Sequence, residues 1–300
     1  MILNRGRPQD HSLAYLDPPS SITSMSYPEV RALARSCHPL PSVAVTSLSA
    51  GLAAMARLPL ATGILLTAAV LTGQLSIGWS NDYLDAERDS AAHRTDKPVA
   101  AGAVAPRVAG MAALIALTLT LALSAPLGWP GGGAALVVVL CGWLYNLGLK
   151  ATILSWLPYA IAFGMLPAAA TLSATPPRWP PAWALTAGAV LGVAAHLANV
   201  LPDLHDDSAT GIRGLPHRLG AKATALTGAG LLLAVSAVIL FGPGGEAGPL
   251  RWAGFLVALL VAGTAATSAY RNPSSRRFFQ ATILIALLDL AFFALSGTGF

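Results

Sequence analysis

Two segments of the chain repeat one spacing of an asparagine and two aspartates. Segment Asn81–Asp89 reads NDYLDAERD and segment Asn199–Asp207 reads NVLPDLHDD, so both contain Asn-x₃-Asp-x₃-Asp. On an α-helix with about 3.6 residues per turn, positions i, i+4 and i+8 lie close to one face. Each segment therefore predicts one amide and two carboxylates that project together from a helix.

Carboxylates spaced four residues apart on a helix repel each other unless a cation lies between them. Mg²⁺ is suited to this role, because it prefers oxygen ligands and usually binds one or two carboxylates together with substrate phosphates. Two such segments facing each other would hold a diphosphate through Mg²⁺ and assist ionisation of its carbon–oxygen bond. The predicted metal ligands are Asp82, Asp85, Asp89, Asp203 and Asp207.

Basic side chains follow both segments. Arg94 and Lys97 come after the first segment, and Arg213 comes after the second. Arginine and lysine complement the charge and the oxygen acceptors of phosphate groups. Together with Asn81 and Asn199, these three residues are predicted to bind the substrate.

An ordinary solvated loop is the alternative interpretation, because aspartate and asparagine are common turn residues. The spacing recurs 118 positions later and basic residues again follow it. This duplication favours a paired site over two unrelated loops.

The rest of the chain is typical of an integral membrane protein. Of its 300 residues, 55% are hydrophobic and only 10% are charged, whereas soluble domains carry about a quarter of charged residues. We predict an all-α, multi-pass fold in which residues 1–30 are a disordered cytoplasmic tail and residues 31–300 form a single membrane domain. Nine segments are long and apolar enough to span a bilayer: 39–56, 60–84, 105–125, 131–149, 154–173, 180–202, 221–241, 249–269 and 277–297.

The distribution of basic residues predicts the orientation in the cell membrane. With a cytoplasmic N-terminus, 15 of the 18 lysines and arginines fall in cytoplasmic segments. Cytoplasmic loops carry such an excess of positive charge. Both aspartate segments are then cytoplasmic, and the C-terminus lies outside.

These residues resemble the UbiA superfamily of intramembrane prenyltransferases, and the resemblance covers roughly residues 31–300. The family's first motif, NDxxDxxxD followed by a basic-Pro pair and a glycine, is matched by Asn81, Asp82, Asp85, Asp89, Lys97, Pro98 and Gly102. Its second motif, DxxxD leading to Leu-Gly, is matched by Asp203, Asp207, Leu219 and Gly220. Tyr145 and Lys150 are similar to a tyrosine and a lysine that recur near the family's fourth helix.

The resemblance implies nine helices around a central cavity with cytoplasmic capping loops. It also implies Mg²⁺-dependent transfer of a prenyl group, from a polyprenyl or geranylgeranyl diphosphate to an acceptor that is usually aromatic. Tyr145 would bind substrate. One departure is Pro202, which predicts a partly unwound second motif. The residues to which a catalytic role is assigned are Asp85, Asp89, Asp203, Asp207 and Lys150.

Three other functions are alternatives to prenyl transfer. A membrane terpene cyclase would use the same ionisation without an external acceptor, and the sequence does not separate it from a transferase. A transporter is disfavoured, since its carboxylates would lie near the bilayer midplane on broken helices. The basic residues flank membrane segments, so we predict no nucleic-acid partner.

Two polar residues outside the motifs are predicted to have structural roles. Asp289 lies inside the last apolar segment, and we predict a hydrogen bond between helices there rather than a catalytic role. His38, before Pro39, is predicted to be an interfacial residue at the start of the first span.

Overall fold

The computed structural model describes residues 25–209 and 211–297, and within them all regular secondary structure is helical and no strand occurs. Three short 3₁₀ turns, at Ala125–Leu127, Leu149–Ala151 and Leu201–Asp203, interrupt or join the α-helices. The α-helices are α1 (Tyr27–Ser36), α2 (Pro39–Met55), α3 (Leu60–Leu84), α4 (Ala86–Ala91), α5 (Pro106–Ser124), α6 (Gly128–Leu147), α7 (Leu157–Leu172), α8 (Ala182–Val200), α9 (Leu204–Ala209), α10 (Leu215–Leu219), α11 (Ala221–Phe241), α12 (Pro249–Arg271) and α13 (Arg277–Leu295).

An α-helix coincides with each of the nine predicted membrane segments, namely α2, α3, α5 to α8 and α11 to α13. In the part of the chain that is described, six helical stretches are long and apolar enough to cross a membrane, and one of them contains both α5 and α6. Helices α2 and α7 are apolar but shorter. The multi-pass, all-α architecture is confirmed, while the number of crossings remains a prediction.

Small residues allow the helices of the bundle to approach closely. On α8, a Cβ added to Gly192 would lie 2.2 Å from the Tyr159 carbonyl oxygen, and one added to Gly188 would lie 2.4 Å from that of Phe163. Helix association in membranes favours such direct backbone contact. Because of it, α7 and α8 are held together along the middle of α8, the helix that leads into the second aspartate segment.

The two aspartate segments differ in backbone. In the first, Asp85 lies between α3 and α4, and the amides of Asp85 and Asp89 donate to the carbonyl oxygens of Asn81 and Asp85 at 3.0 and 2.8 Å. Helical hydrogen bonding therefore continues across the junction. In the second, the interruption predicted at Pro202 takes the form of a 3₁₀ turn between α8 and α9.

One end of the bundle collects the polar residues. The C-terminal ends of α3, α6 and α8 and the N-terminal ends of α2 and α13 all contribute to a single polar cavity there. Of the predicted tail, residues 1–24 lie outside the described residues, and residues 27–30 form the first turn of α1. The division into a tail and one membrane domain stays a prediction.

Candidate active site

The polar cavity has a volume of about 510 Å³ and brings together residues from both aspartate segments. The first segment reaches it from the end of α3, and the second reaches it from the end of α8. The predicted site residues in its lining are Asn81, Asp82, Asp85, Arg94, Lys97, Tyr145, Lys150, Asn199, Asp203 and Asp207.

Asp85 occupies the middle of a buried ion-pair cluster. Its two carboxylate oxygens accept hydrogen bonds from Lys150 Nζ at 2.5 and 2.6 Å. Arg88, one turn further along, lies 2.8 Å from the same carboxylate. Burial lowers the pKa of Lys150 below its ordinary value, although Asp85 acts in the opposite direction.

Lys97 connects the other two aspartates of the first segment. Its Nζ lies 2.7 Å from Asp89 Oδ2 and 3.6 Å from Asp82 Oδ1. Burial alone would lower the pKa of Lys97, but the carboxylates of Asp82 and Asp89 outweigh it and leave that pKa raised. The imidazole of His38 also contacts Asp82, with Nε2 at 3.2 Å from Oδ1.

Arg94 links the two aspartate segments directly. It belongs to the loop after the first segment, and its Nη2 lies 3.1 Å from Oδ1 of Asp203 in the second. Two further hydrogen bonds, of 2.9 and 3.0 Å, join its guanidinium to Asp96. These bonds raise the pKa of Arg94 and hold the pKa of Asp96 below its usual range.

Two predicted site residues lie outside the lining of this cavity. Asp89 is buried behind it and is paired with Lys97. Arg213 is exposed, and its carbonyl oxygen accepts a hydrogen bond from Arg218 Nε. Direct roles for Asp89 and Arg213 with substrate therefore stay predictions.

An apolar cavity of about 190 Å³ adjoins the polar one and shares several wall residues with it, including Asn81, Tyr145 and Asn199. A third, smaller cavity of about 80 Å³ in turn shares Leu48 and Phe163 with the apolar cavity. An apolar path thus leads from the aspartate segments into the bundle between α2, α7, α8 and α13.

Hydrogen bonds hold the polar residues at the boundary between the two cavities. Asn81 Nδ2 donates to Asn146 Oδ1 at 3.2 Å, and Asn199 Nδ2 donates to the Tyr159 hydroxyl at 3.4 Å. The rings of Tyr145 and Tyr159 pack edge to face with centroids 5.2 Å apart. Two aromatic rings and two amides therefore border the passage from polar to apolar space.

Comparison with known proteins identifies the family. A family model described as the UbiA prenyltransferase family matches residues 42–295, which is most of the chain. The chain belongs to this family. No curated protein matches it significantly.

Solved structures of UbiA homologues share the fold. An apo homologue from Aeropyrum pernix K1 aligns with a TM-score of 0.69 and 19% identity, over 85% of this chain and 98% of that one. A homologue from Archaeoglobus fulgidus bound to GPP and Mg²⁺ aligns with a TM-score of 0.69 and 14% identity, over 88% and 98%. A digeranylgeranylglyceryl phosphate synthase aligns with a TM-score of 0.62 and 12% identity, over 89% and 98%.

Sequence reasoning did not assign three residues of this UbiA family member to the site. Arg88 contacts both Asp85 and Asp89, and its position within the first aspartate segment was an available signal. His38 and Arg276 also line the polar cavity. The only signal for them in the sequence was that their segments were predicted to be on the cytoplasmic side. The interpretation of His38 as interfacial missed its contact with Asp82.

Asp289 behaves as predicted from the sequence. Its Oδ2 accepts a hydrogen bond of 2.7 Å from the Ser236 hydroxyl, which joins α13 to α11. The prediction of a hydrogen bond between helices at this position is confirmed.

Proposed function

We propose that this protein transfers a prenyl group from an isoprenoid diphosphate to a small acceptor within the cell membrane, in a Mg²⁺-dependent reaction. One observation carries the proposal: both aspartate segments line a polar cavity that shares a wall with an apolar one. A diphosphate with an isoprenoid tail has this same division into a charged head and an apolar chain.

The ligand atoms around the polar cavity are suited to Mg²⁺. Its lining includes the carboxylates of Asp82, Asp85, Asp203 and Asp207, and these offer only the oxygen ligands that Mg²⁺ prefers. Within the described residues, no three acidic, histidine or cysteine side chains are grouped closely enough to hold a metal. Binding through one or two carboxylates together with substrate phosphates agrees with both facts. When bound, the metal neutralises charge on the leaving diphosphate.

The basic residues of the site have a second role in this proposal. Lys150, Arg88, Lys97 and Arg94 are bonded to the aspartates here. With diphosphate in the cavity, the same cations contact its phosphate oxygens and stabilise the charge that grows as the carbon–oxygen bond breaks. Arg94 would keep the two aspartate segments together during this step.

The boundary residues would protect the reacting carbon. Tyr145 lines both cavities and packs against Tyr159. Aromatic faces attract cations that are shielded from water, so the two rings would stabilise an allylic cation. They would also exclude water until the acceptor attacks.

The test is an assay of membranes containing the protein with Mg²⁺ and diphosphates of several chain lengths, including geranylgeranyl diphosphate. Each donor is supplied with and without a panel of phenols and quinols. We expect a prenylated product that requires both Mg²⁺ and an acceptor. A cyclic hydrocarbon formed without an acceptor would identify a terpene cyclase instead, and no diphosphate consumption with any donor would contradict both.

A further inference from the structure

One lobe of the polar cavity is lined by two buried histidines. They are His196 of α8 and His217 of α10, and we call this part the histidine lobe. His196 is 1% exposed and the side chain of His217 is 4% exposed. Within the described residues, neither ring nitrogen of His217 nor Nδ1 of His196 has a hydrogen-bond partner, although His217 Nε2 lies 3.7 Å from Asp207 Oδ2.

Unpaired nitrogens of this kind are unusual, because buried polar groups are nearly always hydrogen-bonded. Leaving one unsatisfied destabilises the folded protein. His217 has the Asp207 carboxylate nearby, whereas Nδ1 of His196 has no such neighbour among the described residues. This nitrogen indicates that the partner of His196 is a molecule which enters the cavity. Lys150 and Asp207 line the same cavity, so that molecule binds next to the proposed diphosphate site.

Ser155 determines which nitrogen of His196 carries the proton. The Ser155 Oγ lies 3.0 Å from His196 Nε2 and accepts a hydrogen bond of 2.9 Å from the backbone amide of Leu215. If the hydroxyl donates to Nε2, both Ser155 and Nε2 are satisfied, and the ring proton is on Nδ1. If the ring proton were on Nε2 instead, Ser155 Oγ would accept two hydrogen bonds and its own proton would have no acceptor. That tautomer is therefore disfavoured.

The position of His196 on α8 relates it to the second aspartate segment. Asn199 follows it by three residues on the same face of α8, and Asp203 lies in the 3₁₀ turn directly after this helix. Its ring packs against Tyr145 and Tyr159, with centroids 5.7 and 5.1 Å away. These contacts fix the ring at the edge of the polar cavity.

We propose that His196 binds a phosphoryl oxygen of the substrate through Nδ1–H, and that Ser155 is the positioning residue that fixes this tautomer. The inference rests on the proposed function, since it assumes that a diphosphate occupies the cavity. The basic residues supply charge to that group, whereas His196 supplies a neutral and directed donor.

Binding of pyrophosphate with Mg²⁺ to the purified full-length protein tests the inference by calorimetry, without any acceptor. His196→Phe keeps a ring but no donor, so affinity should fall about 10-fold or more. His196→Asn places an amide N–H where Nδ1 was and should recover most of the affinity. His196→Gln places its amide where Nε2 was and should not.

Ser155→Ala should weaken binding about threefold, because the tautomer is no longer fixed. Thr224→Val is its matched control, since Thr224 also buries a hydroxyl that bonds to α10, at the Pro216 carbonyl, whereas the hydroxyl that lies against His196 belongs to Ser155. Affinity in Thr224→Val should equal that of the wild type. A loss as large as in Ser155→Ala would reduce the serine to a structural role and overturn its part of the inference.

The remaining outcomes separate the two proposals. Wild-type affinity in His196→Phe would overturn the inference and leave the proposed function intact, whereas failure of the wild type to bind pyrophosphate with Mg²⁺ would contradict the proposed function itself. If His196→Phe does not fold, ¹⁵N NMR of labelled histidine in the wild type decides the tautomer. A proton on Nε2 of His196 would overturn the inference.

Discussion

Asp85 lies between two cations that come from different parts of the chain. Lys150 follows α6 and Arg88 belongs to α4, and both bond to this one carboxylate. Removing one partner of a buried pair leaves the other charge uncompensated. Substitutions here will therefore affect folding as well as turnover, so the two must be measured separately.

The first prediction concerns the aspartates themselves. Asp85→Ala and Asp203→Ala should each lower Mg²⁺-dependent turnover by about 100-fold or more, because each removes a charged group from the proposed diphosphate site. Product formation in membranes, normalised to inserted protein, is the measurement.

Glu87→Ala is the control for these variants. Glu87 is exposed on α4, two residues after Asp85, so its loss should leave turnover close to that of the wild type. Near-normal turnover in both aspartate variants would contradict the assigned roles.

The second prediction follows from the pairing of the carboxylates with protein cations. Mg²⁺ alone has to compete with Lys97, Lys150 and Arg94, and it should change thermal stability little. Mg²⁺ with pyrophosphate offers those cations new partners. At a concentration near 100 Kd it would add about 2.7 kcal/mol to the free energy of unfolding. Thermal unfolding in detergent measures the stability with Mg²⁺ alone and with Mg²⁺ and pyrophosphate. An equal increase in both conditions would contradict the idea that Mg²⁺ competes with the protein's own cations.

At the scale of residues, the sequence was sufficient to predict ten of the residues that line the polar cavity, and their roles stay predictions. Asp82, Asp85 and Lys97 could be found because their spacing or their family motif reports them. His38 could not be assigned, because it lies outside the motifs and its contact depends on how α2 packs in three dimensions. His196 lies near the second motif, and the sequence alone does not separate phosphate contact from solvation there. The predicted roles of Arg213 and Asp89 can be tested only with substrate bound.

At the scale of elements, the α7–α8 contact supports the site. Gly188 and Gly192 allow the two backbones to touch, and the same pair of helices provides Tyr159, His196 and Asn199. A small change in the separation of these helices would move the amide of Asn199 away from the tyrosine hydroxyl.

The third prediction tests this contact. Gly192→Val would place side-chain atoms against the Tyr159 carbonyl oxygen and should destabilise the protein by about 3 kcal/mol, at the upper end of ordinary overpacking. Gly230→Val on α11 is the matched control, since a Cβ there has no atom within 4 Å. The midpoint of thermal unfolding in detergent should be lower for Gly192→Val than for Gly230→Val. Equal midpoints would show that the α7–α8 contact does not determine stability.

Apolar length predicted the long helices well, and their ends agree with the structure to within a few residues. The short helices α4, α9 and α10 were not predicted as separate elements. They carry charged or small residues with little apolar periodicity, and their conformation is determined by ion pairs and by packing on the bundle. Pro202 did signal an interruption, since it has no amide proton to donate to the helix.

At the scale of the whole molecule, the N-terminal ends of two helices and the C-terminal ends of three meet at the polar cavity. This arrangement agrees with helices that cross the bilayer in alternating directions. The fourth prediction is that this face is cytoplasmic. Single cysteines introduced at Ala91 and Arg178, both exposed, should differ in their reaction with a membrane-impermeant thiol reagent. Arg178→Cys should react in intact cells, and Ala91→Cys only after the membrane is opened.

The native cysteines do not interfere with this experiment, because Cys37 and Cys141 are buried. Labelling of Ala91→Cys alone in intact cells would reverse the predicted orientation. Equal labelling of both positions would contradict the placement of the two loops on opposite sides.

The ion pairs between aspartates and basic residues also bear on how the protein is made. A newly synthesised chain has to bury these carboxylates as its helices fold together, and a buried charge without a partner is costly. Lys97, Lys150, Arg88 and Arg94 provide that compensation from within the chain. We expect biogenesis to proceed without a supply of Mg²⁺, so that a chelator would silence the mature protein reversibly and leave it intact in the bilayer.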